Sequence, residues 1–162
     1  MVREKLLYVE TFGCQMNASD SDKIVSMLRK IGYNPTGDSS LADLIVLNTC
    51  SVRDKAEQKV YNTLDNFRGF KNRNKGLLLA VGGCVAQQEG ERLLEKVPGL
   101  DIVFGTHNLH LLPEMVLQAE NGIRRSATDF IDSEQRLDLF PPEEYTGGVT
   151  RFITIMQGCD NF

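Results

Sequence analysis

Four short apolar runs, each followed by a helical pattern, constrain this chain more than any other feature. They are Leu6 to Val9, Leu44 to Leu47, Leu77 to Val81 and Asp101 to Phe104. The last three read LIVL, LLLAV and DIVF, nearly continuous apolar runs with no polar alternation. Strands of that kind belong to sheets covered on both faces. The intervening segments carry apolar residues at helical spacing. Ile24, Leu28 and Ile31 mark a helix that starts near Ser21 or Asp22, after a polar loop from Gly13 to Asp22, and stops at Gly32. Ala56, Val60 and Leu64 mark a second, from about Arg53 to Phe67, and further helices are expected near Gln88 to Lys96 and Leu111 to Glu120. Strand–helix alternation implies right-handed crossovers and parallel pairing. Residues 1–122 are therefore predicted to form an α/β domain with an open, doubly wound parallel sheet, three-layered in the Rossmann or flavodoxin manner.

The texture changes after Gly122. Residues 123–148 are polar and include Pro141, Pro142, Gly147 and Gly148, which reads as a linker. A fifth strand, Arg151 to Met156, runs into Gly158 and Cys159 and opens a new unit, 149–162, that ends unfinished.

With 41% hydrophobic residues, the chain can bury a core without a disulfide or metal to hold it. Its net charge of −4 argues against a dedicated nucleic-acid surface on this piece. The N-terminal stretch has no apolar run long enough for a signal peptide or a membrane span, so a cytoplasmic location is expected. In a reducing compartment the four cysteines are not expected to form structural disulfides.

Three of them fall at equivalent places. Cys14 follows the first strand, Cys50 the second and Cys84 the third. All strand C-termini of a parallel sheet lie on one edge, where such folds bind ligands. Thiols distant in sequence can therefore converge there. Burial as small hydrophobes explains one such cysteine well and three in register poorly. Gly13 and Gly83 allow close backbone approach, and Gln15, Asn17, Asn48 and Thr49 offer polar groups that could donate to cluster sulfides and hold the loops. Thiolates suit zinc as well as iron–sulfur clusters, but the paired Cys-x₂₋₄-Cys spacing of structural zinc is absent. Three separate thiolates on a 4Fe-4S cluster would leave one iron open, which favours chemistry over electron storage.

Other signals are weaker. His107 and His110 read as residues at the start of a helix, and Arg68, Lys71, Arg73 and Lys75 as a solvated loop before a strand. Asp20 and Asp22 are expected in the first turn of a helix, favoured by its dipole. Met16, Met27, Met115 and Met156 read as packing residues. A flavin- or nucleotide-binding module suits the fold but matches no Gly-x-Gly-x-x-Gly or P-loop pattern and leaves Cys50 and Cys84 unexplained. A thiol redox module would want a Cys-x-x-Cys, which is absent.

YVETFGCQMN, LNTCSVRDKAEQKV, VGGCVAQQEG and VFGTHNLHLLPEM together resemble the N-terminal domain of the tRNA methylthiotransferases, and RFITIMQGCDNF resembles the start of that family's radical-SAM domain. CSVRDKAEQKV is closer to the MiaB-like branch, which makes 2-methylthio-N(6)-dimethylallyladenosine, than to relatives that modify a ribosomal protein. The resemblance implies an auxiliary 4Fe-4S cluster on Cys14, Cys50 and Cys84. It also implies a second 4Fe-4S cluster on a Cys-x₃-Cys-x₂-Cys motif, of which Cys159 matches the first position only. It further implies S-adenosylmethionine as a cofactor, tRNA as substrate, a sulfur donor and a reducing system; a monomer is expected. The reaction implied adds a methylthio group to C2 of an adenosine next to the anticodon. With one ligand of the radical-SAM motif, the chain alone is expected to be inactive.

Overall fold

The computed structural model describes residues 4–13, 15–50 and 56–131. Six strands form one sheet in the order β2-β1-β3-β4-β5-β6, every neighbouring pair parallel. These are β1 (Lys5–Thr11), β2 (Tyr33–Pro35), β3 (Leu44–Thr49), β4 (Leu78–Gly83), β5 (Ile102–Phe104) and β6 (Arg125–Ala127). The helices are α1 (Gln15–Arg29), α2 (Ala56–Arg73), α3 (Cys84–Glu89), α4 (Glu91–Lys96) and α5 (Leu112–Glu120). The doubly wound parallel sheet expected from the apolar runs is present.

Continuous apolarity has the cause inferred for it. Every residue of β3 and β4 is buried, because alternate side chains enter two separate cores. Val46, Leu44 and Leu78 pack with Ile24 and Leu28 of α1 and with Leu112, Met115 and Val116 of α5. Ile45, Leu47, Leu79 and Val81 pack on the other face with Val60, Leu64 and Phe67 of α2 and with Val85 and Leu93 of α3 and α4. Burying each such side chain stabilises the fold by about 1.5–3 kcal/mol.

The elements depart from the sequence reading in four places. First, α1 starts at Gln15, so most of the expected loop from Gly13 to Asp22 is helix. Three of its polar residues, Asn17, Ser19 and Ser21, are buried, and Asn17 and Ser21 share a face with Ile24 and Leu28. Asp20 and Asp22 thus lie beyond the first turn, and Asp20 pairs with Lys23 at 3.4 Å. Second, the helix expected near Gln88 to Lys96 is two short helices that begin at Cys84 and break at Gly90, where φ is +54°. Third, the sheet has two further strands. β2 pairs with β1, and β6, inside the stretch read as linker, pairs with β5. Each is a three-residue edge strand with only one buried residue, so neither shows an apolar run. Fourth, Arg68, Lys71 and Arg73 belong to the last turns of α2 and not to a loop. Cations there complement the helix dipole.

His107 and His110 precede and enter a 3₁₀ turn, Leu109–Leu111, that leads into α5, and both are half-buried. Burial holds the His110 imidazole below its ordinary pKa. Met115 is fully buried and Met27 packs against the core, but Met16 is 44% exposed and does not pack as expected. Cys14, Met156, Cys159, the strand 151–156 and the helix start at 53–55 lie outside the described residues. Among the described residues no helix is long and apolar enough to cross a membrane.

Candidate metal centre at the strand C-termini

The strand order places a topological switch between β1 and β3: the chain leaves β1 for β2 on one side and reaches β3 on the other. Ligands of open α/β sheets bind outside the strand C-termini at such a point. Cys50 is the residue after β3, and Cys84 the first residue after β4. These two strands are neighbours in a register that pairs Thr49 with Gly83, so the two cysteines each lie one step beyond the same paired row. Cys50 is 7% exposed, Cys84 is half-buried, and neither is disulfide-bonded. Gly13 closes the third turn, just before Cys14, next to β3: Phe12 N donates to the Asn48 carbonyl at 2.8 Å.

Two glycines let these turns touch. Gly13 has φ +118°, and a Cβ built on it would overlap the Cys50 Cβ and lie 3.0 Å from its Sγ. Gly83 has φ +92°, and its Cβ would overlap the Thr49 carbonyl oxygen. Only a residue without a side chain permits both the backbone angle and the approach.

Uncharged side chains join the turns. Asn17 Nδ2 donates to the Thr49 carbonyl at 2.8 Å, and Asn48 Nδ2 donates to the Asn17 carbonyl at 2.7 Å and to Ser21 Oγ at 3.0 Å. The Thr49 hydroxyl donates to the Gly82 carbonyl at 2.6 Å. Ser21 Oγ also lies 2.7 Å from Thr11 Oγ1. These donors of Asn48 and Thr49 are therefore committed to protein acceptors. Of the polar residues expected around the site, Gln15 alone is exposed, at the first position of α1.

Residues 6–105 match the family described as "Uncharacterized protein family UPF0004". The chain belongs to that family. The UPF0004 match contains Cys14, Cys50 and Cys84 and ends before Cys159. Over its whole length the chain is 68% identical to a tRNA-2-methylthio-N(6)-dimethylallyladenosine synthase of Geotalea uraniireducens, of which it covers 37%. It is 70% identical to the protein of the same name in Geobacter metallireducens, covering 36%, and 67% identical to that of Geobacter sulfurreducens, covering 36%. The chain thus spans little more than a third of these relatives' length. The likeness to tRNA methylthiotransferases read from the cysteine motifs is upheld.

Among the described residues of this UPF0004 domain, no three His, Cys, Asp or Glu side chains are grouped to hold a metal; the third expected thiol, Cys14, is outside them. The sequence reading missed Ser21, taken for a helix start, and Lys59, whose Nζ lies 4.4 Å from the centroid of the Phe12 ring beside Gly13. The spacing of Ser21 four residues after Asn17 on one helix face was the available signal for the first. Nothing local to Lys59 pairs it with Phe12; that contact arises from tertiary packing.

Proposed function

We propose that the chain is the cluster-bearing N-terminal part of an enzyme that methylthiolates tRNA, adding the group to C2 of N(6)-dimethylallyladenosine. The carrying observation is that Cys50 and Cys84 follow the same paired row of two neighbouring strands, beside the switch point, in a domain 67–70% identical throughout to enzymes of that name. Cys14, Cys50 and Cys84 would hold a 4Fe-4S cluster. The fit rests on thiol donors suited to iron–sulfur binding and on a glycine turn seated against Cys50. Held by three protein thiolates, such a cluster supplies an iron whose fourth position can exchange ligands and pass on sulfur.

The chain's own part is to order and shield. Folding sets Cys50 and Cys84 side by side at one edge, and the burial of Cys50 limits access of water and oxidant to its sulfur. On this reading Cys159 is the first ligand of a second 4Fe-4S cluster that cleaves S-adenosylmethionine, and most tRNA contacts, with the sulfur donor and reductant, fall to the rest of the enzyme. A cytoplasmic monomer suits that role.

Anaerobic reconstitution with ferrous iron and sulfide tests the proposal. The expected product is brown, absorbs broadly across the visible range and holds roughly four irons per chain. Cys50→Ala and Cys84→Ala are each expected to lose most of that iron. A yellow flavin spectrum, or iron content unchanged by Cys50→Ala, overturns the assignment.

A further inference from the structure

Asn48 is the penultimate residue of β3, two before Cys50, and is 2% exposed. Its amide nitrogen has two acceptors in α1, the Asn17 carbonyl at 2.7 Å and Ser21 Oγ at 3.0 Å. Asn17 answers it: its own amide nitrogen donates to the Thr49 carbonyl at 2.8 Å. This reciprocal pair spans the switch between β1 and β3. It ties the helix turn three residues after Cys14 to the residue immediately before Cys50. On its far side Thr49 is bonded to Gly82, two residues before Cys84. One buried, uncharged network thus links the first turns of α1 to the strand ends that carry Cys50 and Cys84.

A site assembled from three distant turns binds metal well only if the turns are ordered beforehand; otherwise binding must supply the cost of ordering them. Both amide hydrogens of Asn48 already have buried protein acceptors, so donating one to a bound sulfide would require breaking the clamp. We infer that Asn48 is a positioning residue, presetting the turns of Cys14 and Cys50 before iron arrives and making no hydrogen bond to the cluster. The inference rests on the three-cysteine site proposed above.

The test uses the whole chain, reconstituted anaerobically, with three measurements: the apo thermal midpoint, the rate of iron loss to a chelator, and the electron paramagnetic resonance spectrum after reduction. Asn48→Ala is expected to lose iron about tenfold faster or more, as removal of outer-shell partners does elsewhere, with an altered spectrum. Asp43→Ala is the control, because Asp43 accepts from Leu6 N at 2.8 Å at the other end of the strands. It is expected to lower the apo midpoint yet release iron at the parental rate. Should Asn48→Ala fail to fold, Ser21→Ala removes one of its two acceptors and is expected to speed iron loss by a smaller factor. Parental kinetics and spectrum in loaded Asn48→Ala and Ser21→Ala overturn the inference. So does an equal acceleration in Asp43→Ala, which would reduce the effect to lost stability. A parental chain that takes up no iron overturns the cysteine site itself, and the inference with it.

Discussion

At the edge where strands enter the sheet, carboxylates hold the backbone. Asp43 Oδ2 accepts from Leu6 N, and Asp101 Oδ2 accepts from Leu79 N at 2.9 Å and pairs with Lys71, whose ammonium also donates to the Gly99 carbonyl at 2.8 Å. Glu120 joins Lys5 and Tyr33 there, and a cleft opens among these groups. At the edge where strands leave, amides and hydroxyls of Asn17, Ser21, Asn48 and Thr49 do the same task without charge. Both edges satisfy their backbone, so the difference concerns what each can tolerate nearby. A carboxylate beside three thiolates would add like charge and weaken metal binding. A network of neutral groups orders the turns without that repulsion. The charged edge serves the fold, while the neutral one can serve the fold and a ligand together.

Two glycines with the same φ, +92°, give the sharpest contrast. A Cβ on Gly83 would overlap the Thr49 carbonyl, whereas one on Gly99 would meet nothing nearer than 3.7 Å, the Lys71 side chain. Gly83→Ala should therefore combine backbone strain with a clash and cost about 3 kcal/mol, with loss of iron uptake. Gly99→Ala should cost only the strain, about 1–2 kcal/mol, and leave iron uptake intact. Urea unfolding of the apo chains measures both. Equal costs would mean that the Thr49 turn yields readily, and the rigid picture of the cysteine edge would fail.

How much of this was legible beforehand depends on what a residue's neighbours in sequence can show. The apolar runs gave four of the six strands, and the register of two of them sets Cys50 and Cys84 side by side at the strand C-termini, where the cysteine spacing had put them. β2 and β6 were invisible because an edge strand with one buried residue carries no run to read. The start of α1 was misread for a related reason. Asn17 and Ser21 lie on the inner face of its first turns, and hydropathy treats a buried hydrogen-bonding face as a loop. The same gap concealed the partners of Asn48. Its polarity beside Cys50 was plain, but its acceptors lie 27 and 31 residues away in sequence and only the fold brings them within reach.

The charged edge can be probed without touching the site. Asp101→Asn keeps an acceptor for Leu79 N but removes the ionic partner of Lys71. With both side chains less than a fifth exposed, the expected loss is about 1–2 kcal/mol in urea unfolding. Iron content and the spectrum of the reduced protein should not change. A changed spectrum would show that the two edges communicate through β4, whose first and last residues lie at opposite ends of this path.

The smallest effect expected is the pH response of Glu120. Burial pushes its carboxyl upward, but hydrogen bonds from Lys5 at 2.6 Å and Tyr33 at 2.7 Å, with the lysine charge, outweigh burial and hold it below the ordinary glutamate value. A carboxyl depressed in the folded state binds protons more readily when unfolded. Its stabilisation is therefore complete above the unfolded value, near ~4.3, and is lost as pH falls through the folded one. Lys5 is 43% exposed and Glu120 27%, so solvent screening keeps the contribution under about 1 kcal/mol. The urea midpoint should fall as pH drops below about 5, less steeply in Glu120→Gln and less steeply in high salt. If Glu120→Gln retains the full parental slope, acid sensitivity belongs to other carboxylates, and the Lys5–Glu120–Tyr33 cluster stabilises through its neutral hydrogen bonds, as the cysteine edge does.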